Sequence, residues 1–84
     1  MLERDIERKY KKKIELQGGL CLKLISPGWT GITDRLVILP GGIIKFVEMK
    51  KPGEKLRPLQ LKRKAQLEAL GCTVELIDKE GGAL

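Results

Sequence analysis

Residues 34–50 read "DRLVILPGGIIKFVEMK", and their pairing decides the fold. Two largely apolar runs, 34–39 and 43–50, flank Pro40-Gly41-Gly42. Such a pattern predicts a β-hairpin with a three-residue loop, a type I turn closed by a left-handed glycine. That loop sets Leu39 opposite Ile43, and counting back along both strands brings Asp34 opposite Glu48. Two carboxylates then face each other with Cβ atoms roughly 4.5–5.5 Å apart. Lys50 lies on the same face one pleat further on, roughly 7 Å along the strand. Leu36, Ile38, Ile44 and Phe46 share that face. Like charges opposed on an apolar hairpin are unfavourable unless a cation sits between them. Taken singly, Asp34, Glu48 and Lys50 read as solvated strand-end or turn residues; the register makes them a group.

Outward from the hairpin, Leu2, Ile6, Tyr10 and Ile14 recur every four residues. This stripe predicts a helix over 2–17, ended by Gly18-Gly19. "LCLKLI" (20–25) reads as a strand, and "SPGWTGIT" (26–33) as a loop punctuated by Pro and Gly. After a basic loop, 51–57, Pro58 opens a second helix that Gly71 stops. Its apolar residues are split between two sides, Leu59, Leu67 and Leu70 against Leu61, Ala65 and Ala69. A last strand covers 72–77, and 78–84 form a tail. The order helix, three strands, helix, strand predicts one α/β domain over 1–84 with a mixed sheet.

The 84 residues make a small domain with a thin core, burying about 60–65% of the surface the unfolded chain exposes, so a partner subunit would help stabilise it. Seventeen Lys and Arg against eleven Asp and Glu leave a net charge of +6, which suits a polyanion such as nucleic acid. There is no His, and Cys21 and Cys72 are far apart in apolar runs. These facts exclude His-based acid–base chemistry, the usual Ser and Cys triads and a CxxC zinc site, and predict reduced, buried thiols. What remains is carboxylate and amine chemistry with oxygen ligands, which suits Mg²⁺ or Mn²⁺. The opening run, "MLERDIE", has no apolar leader core and no stretch here is long enough to span a membrane, so a cytoplasmic protein is expected.

Asp34 followed by "Glu48-Met49-Lys50" resembles the PD-(D/E)XK nuclease signature. More narrowly, "SPGWTGITDRLVILPGG" (26–42) with "FVEMKKPGEKLRPLQ" (46–60) is similar to the virus-type replication-repair nuclease domain, VRR-NUC, in its stand-alone phage or prophage form. The resemblance spans nearly the whole chain. It implies a restriction-endonuclease-like core and metal-dependent hydrolysis of DNA phosphodiester bonds. It further implies a homodimer acting on branched DNA such as Holliday junctions, in a bacterial or phage-infected cell. Carried over, Asp34 and Glu48 become metal ligands with the Met49 backbone carbonyl, Lys50 the catalytic amine, and Gln60 a site residue at the start of the second helix. The family also brings a Glu from the first helix. Glu7, at the edge of the apolar stripe, is preferred over Glu3, with pairing to Lys11 as its structural alternative. Thr33 stands where the family usually has Pro.

Arg35, Lys51, Lys55, Arg57 and Lys62 are the expected phosphate contacts, with Arg63 and Lys64 beside them. Trp29, the only Trp, either stacks on an unpaired base or packs. The run Arg8, Lys9, Lys11, Lys12, Lys13 is either a second DNA surface or a solvated helix face. The alternative function, from a different class, is a non-catalytic basic nucleic-acid-binding module on the same fold.

Overall fold

A computed structural model describes residues 2–78. Helix α1 (Glu3–Leu16) leads into β1 (Leu20–Lys23), the hairpin β2 (Arg35–Leu39) and β3 (Ile43–Met49), helix α2 (Pro58–Ala69) and β4 (Thr73–Ile77). The elements therefore fall in the expected order. The tail expected over 78–84 lies, apart from Asp78, outside the described residues. The sheet order is β1-β2-β3-β4, antiparallel except for the parallel β3–β4 pair, so the sheet is mixed. The parallel pair requires a crossover, and α2 supplies it.

Leu39 pairs with Ile43 and Arg35 with Val47, the register expected from the loop length. The turn itself differs. Gly41 and Gly42 both have positive φ, +91° and +75°, whereas a type I turn keeps its second central residue at negative φ. Two consecutive glycines permit this at no steric cost, and the register survives because three loop residues, rather than the turn type, set it.

One face of the sheet is closed. Ile6, Tyr10 and Ile14 from α1 pack on Cys21, Val37, Val47, Met49 and Ile77, all buried. The fourth stripe residue, Leu2, precedes α1 and stays half exposed; its N–H is capped by the Asp5 carboxylate at 3.3 Å. The opposite face is covered only in part, by α2. Leu67 is the one buried residue of that helix, which explains the split apolar pattern: α2 lies along the sheet's β4 side and leaves Leu61 and Leu70 in solvent. Cys21 is buried and Cys72 half-buried, and both are free thiols.

Candidate active site

The sheet register carries Asp34, one residue before β2, opposite Glu48 on β3, and the two strands are braced there by side chains. The Met49 N–H donates to Asp34 Oδ1 at 3.2 Å, and the Asp34 N–H donates to Glu48 Oε1 at 3.2 Å. Each carboxylate thus ties one oxygen to the opposite strand's backbone. Lys50 Nζ lies 3.8 Å from Glu48 Oε2. Glu48 is 8% and Lys50 6% exposed, an unusual depth for such groups in a small domain. Alternation along β3 explains Met49: its side chain enters the α1 core, so only its backbone faces the site.

Gln60 completes the cluster from α2. Its Oε1 accepts the Arg57 N–H at 2.9 Å, capping the helix, and its Nε2 donates to Glu48 Oε2 at 3.2 Å. This orientation is the only chemically consistent one. A flipped amide would oppose donor to donor at the Arg57 N–H, whatever the charge on Glu48. Capping therefore aims an N–H at the carboxylate.

Burial, then the charge of Asp34, pushes the Glu48 carboxyl up to about 7, against the pull of Lys50. Burial likewise raises the Asp34 carboxyl, with Glu3 adding to the rise and the Met49 N–H and Lys50 opposing it. Two adjacent desolvated carboxylates, one of which opposes the ionisation of the other, are relieved by a cation. Among the described residues no third His, Cys, Asp or Glu side chain joins them in a metal-holding group. A pair of carboxylates still fits Mg²⁺ or Mn²⁺, since such an ion commonly takes one or two carboxylates and completes its shell with water and substrate phosphate.

Two comparisons bear on this arrangement. The chain is 46% identical over 78 residues to "Putative nuclease p44" of Acyrthosiphon pisum secondary endosymbiont phage 1, a match covering 93% of this chain and 84% of that protein. A solved VRR-NUC domain superposes with a TM-score of 0.86 at 36% identity, over 92% of this chain and 84% of its own. The chain belongs to the VRR-NUC nuclease family. No family model matches it.

Within this VRR-NUC fold, the remaining expected site residues fall into three groups. Lys51, Lys55, Arg57 and Lys62 are all exposed on the segment that runs from β3 into α2, past the carboxylates. Arg35 and Glu7 are not brought to that surface. Arg35 is 9% exposed and forms an ion pair with Glu7 beneath α1. The reason is strand alternation: with Asp34 on the α2 side, its neighbour Arg35 must face α1. The α1 carboxylate whose charge reaches both Asp34 and Glu48 is Glu3, on the first turn. Glu7, the candidate preferred on the helical wheel, is instead held by Arg35. Thr33 is buried, and its hydroxyl donates to the Arg35 carbonyl at 3.3 Å. Trp29 is half-buried beneath the Arg63 guanidinium, 4.3 Å from the ring centroid to Cζ. Arg63, expected only beside the phosphate contacts, instead holds the Thr30 carbonyl and Trp29, and its partner Gln66 carries no sequence signal.

Proposed function

We propose that this VRR-NUC nuclease is a divalent-metal-dependent endodeoxyribonuclease, acting as a homodimer on branched DNA such as four-way junctions. The observation that carries the reading is the cluster of buried Glu48 and Lys50 with half-buried Asp34 and Gln60, reached from a basic surface segment. Asp34 and Glu48, with the Met49 carbonyl, would hold Mg²⁺ or Mn²⁺. Such an ion lowers the pKa of water and neutralises charge developing on phosphate. Lys50, already beside Glu48, is placed to hold the attacking water or a phosphate oxygen. Gln60 keeps Glu48 Oε2 in place through its own N–H. Lys51, Lys55, Arg57 and Lys62 would neutralise backbone phosphates without reading bases, which suits selection by shape over sequence.

The partly covered sheet face supports the dimer. Leu20, Ile38 and Ile44 form one row across β1, β2 and β3, and Leu22, Leu36 and Phe46 the next. Leu20 and Ile44 are 54% and 52% exposed. The row beyond is that of Asp34 and Glu48, roughly 7 Å further along the strands. A second copy seated on this patch by two-fold symmetry would bury it and set two catalytic clusters on one side of the assembly, as paired incision of a junction requires.

The test is cleavage of labelled four-way junction, flap and linear duplex DNA with Mg²⁺, Mn²⁺ or EDTA, comparing wild type with Asp34→Asn. Metal-dependent paired nicks on the junction, lost in the variant, are the expected result. Equal cleavage of all substrates would remove the junction preference, and binding without cleavage under any metal would favour the non-catalytic module.

A further inference from the structure

Glu48 sits on β3 and Asp34 just ahead of β2, and α2 reaches Glu48 through Gln60. Asp34 arrives at the end of the loop over 24–34, which is closed at its base by the Leu24 N–H donating to the Asp34 carbonyl at 2.9 Å and tied at its tip only by the Trp29 N–H donating to the Ser26 carbonyl at 3.1 Å. The loop's outer fixings come from α2. Arg63 Nε donates to the Thr30 carbonyl at 2.8 Å, its Nη1 donates to Gln66 Oε1 at 2.9 Å, and its guanidinium covers the Trp29 ring. Gly31 between them has φ +92°, and a Cβ placed there would lie 2.7 Å from Leu59 Cγ and 3.2 Å from Arg63 Cγ. The loop backbone therefore runs in direct contact with the helix, three residues ahead of Asp34.

Gln60 and Arg63 are separated by one helical turn and share a face of α2. Gln60 holds Glu48 and Arg63 holds the loop that delivers Asp34. We propose that Arg63 is a positioning residue for Asp34, and that α2 thereby sets the spacing of the carboxylate pair for its divalent ion. Arg suits the task because its rigid fork donates to Thr30 and Gln66 at once while its plane stacks on Trp29. The brace from Asp34 Oδ1 to the Met49 N–H remains when Arg63 is removed, so the pair loosens without falling apart. Outer residues of this kind typically change metal affinity 10–100-fold, and the surviving brace places Arg63 at the lower end, about tenfold.

The proposal rests on the reading of Asp34 and Glu48 as metal ligands, and the experiment separates the two. Mn²⁺ binding is measured by calorimetry for wild type, Arg63→Ala and Arg63→Lys, with far-UV circular dichroism as the check of folding. Lys62→Ala, which removes one positive charge from the adjacent position, controls for charge alone. Arg63→Ala is expected to raise the Mn²⁺ Kd about tenfold. Arg63→Lys, which keeps a donor for Thr30 but loses the brace to Gln66, is expected to raise it less. Lys62→Ala is expected to leave it unchanged, and junction nicking by Arg63→Ala should recover at saturating Mn²⁺. Wild-type Kd in both Arg63 variants overturns the proposal, as does an equal rise in Lys62→Ala. If Arg63→Ala fails to fold, Arg63→Lys alone decides by the same comparison. No Mn²⁺ binding by wild type would overturn the metal reading itself, and the role of Arg63 with it.

Discussion

The two faces of the sheet solve different problems with the same strands. Under α1, Ile6, Tyr10 and Ile14 close a core on Val37, Val47, Met49 and Ile77, and the principal buried charge, Arg35, is answered by Glu7. Under α2, the row of Asp34 and Glu48 gathers like charges, a buried amine and an amide, and the neighbouring rows leave Leu20 and Ile44 half exposed. The first face stabilises the fold. The second keeps groups that destabilise it: two carboxylates raised by burial, Glu48 further by the charge of Asp34. A domain this thin sustains such a site only because the opposite face is fully packed.

Substitutions on the two faces should separate these roles. Lys50→Ala should lower junction nicking by about 10²–10⁴-fold while DNA affinity, read by gel shift, changes little; equal losses in both would deny Lys50 a part in the chemistry. On the closed face, Ile14→Ala should cost about 2–5 kcal/mol and lower Tm by at least about 8 °C, read by thermal circular dichroism. Unchanged Tm would mean that α1 does not provide the core.

The site's cost should appear in its pH dependence. Folded, Glu48 holds its proton up to about 7, against the ordinary value of 4.5. Its contribution to stability is therefore most favourable below about 4.5 and is lost as pH rises through about 7. Without divalent ions, wild-type Tm should fall relative to Glu48→Gln between pH 5 and 8, and added Mn²⁺ should reduce that fall. A Tm difference that stays constant across the window would show that Glu48 is not the titrating group. The smallest effect on the single subunit is expected from Ile44→Lys, within about 0.5 kcal/mol of wild-type stability, yet it should convert a dimer to a monomer in sedimentation. A wild-type protein that already sediments as a monomer would sink the dimer.

Much of this was legible in order. The four-residue stripe of α1, Pro58 at the start of α2 and the three-residue loop between β2 and β3 are local signals, and each led to the element observed. The register followed from loop length, and with it the meeting of Asp34 and Glu48, confirmed by the crossed backbone bonds. Arg35 is adjacent to Asp34 in sequence but not in space, because alternation along the strand sends it to the α1 face. Glu7 and Glu3 differ by only about 40° on a helical wheel, too little to foresee that Glu7 would pair with Arg35 across the sheet.

Local spacing thus determined the elements, the hairpin register and the carboxylate pair, because turn length and side-chain period act over a few residues. Only the tertiary structure decided which α1 carboxylate meets Arg35, how Gln60's amide is turned, and that Arg63 grips the loop before Asp34. Those contacts join residues on separate elements, at Arg63 and Thr30 across 33 positions of chain. They depend on how helices settle on a sheet, which no period along the sequence encodes.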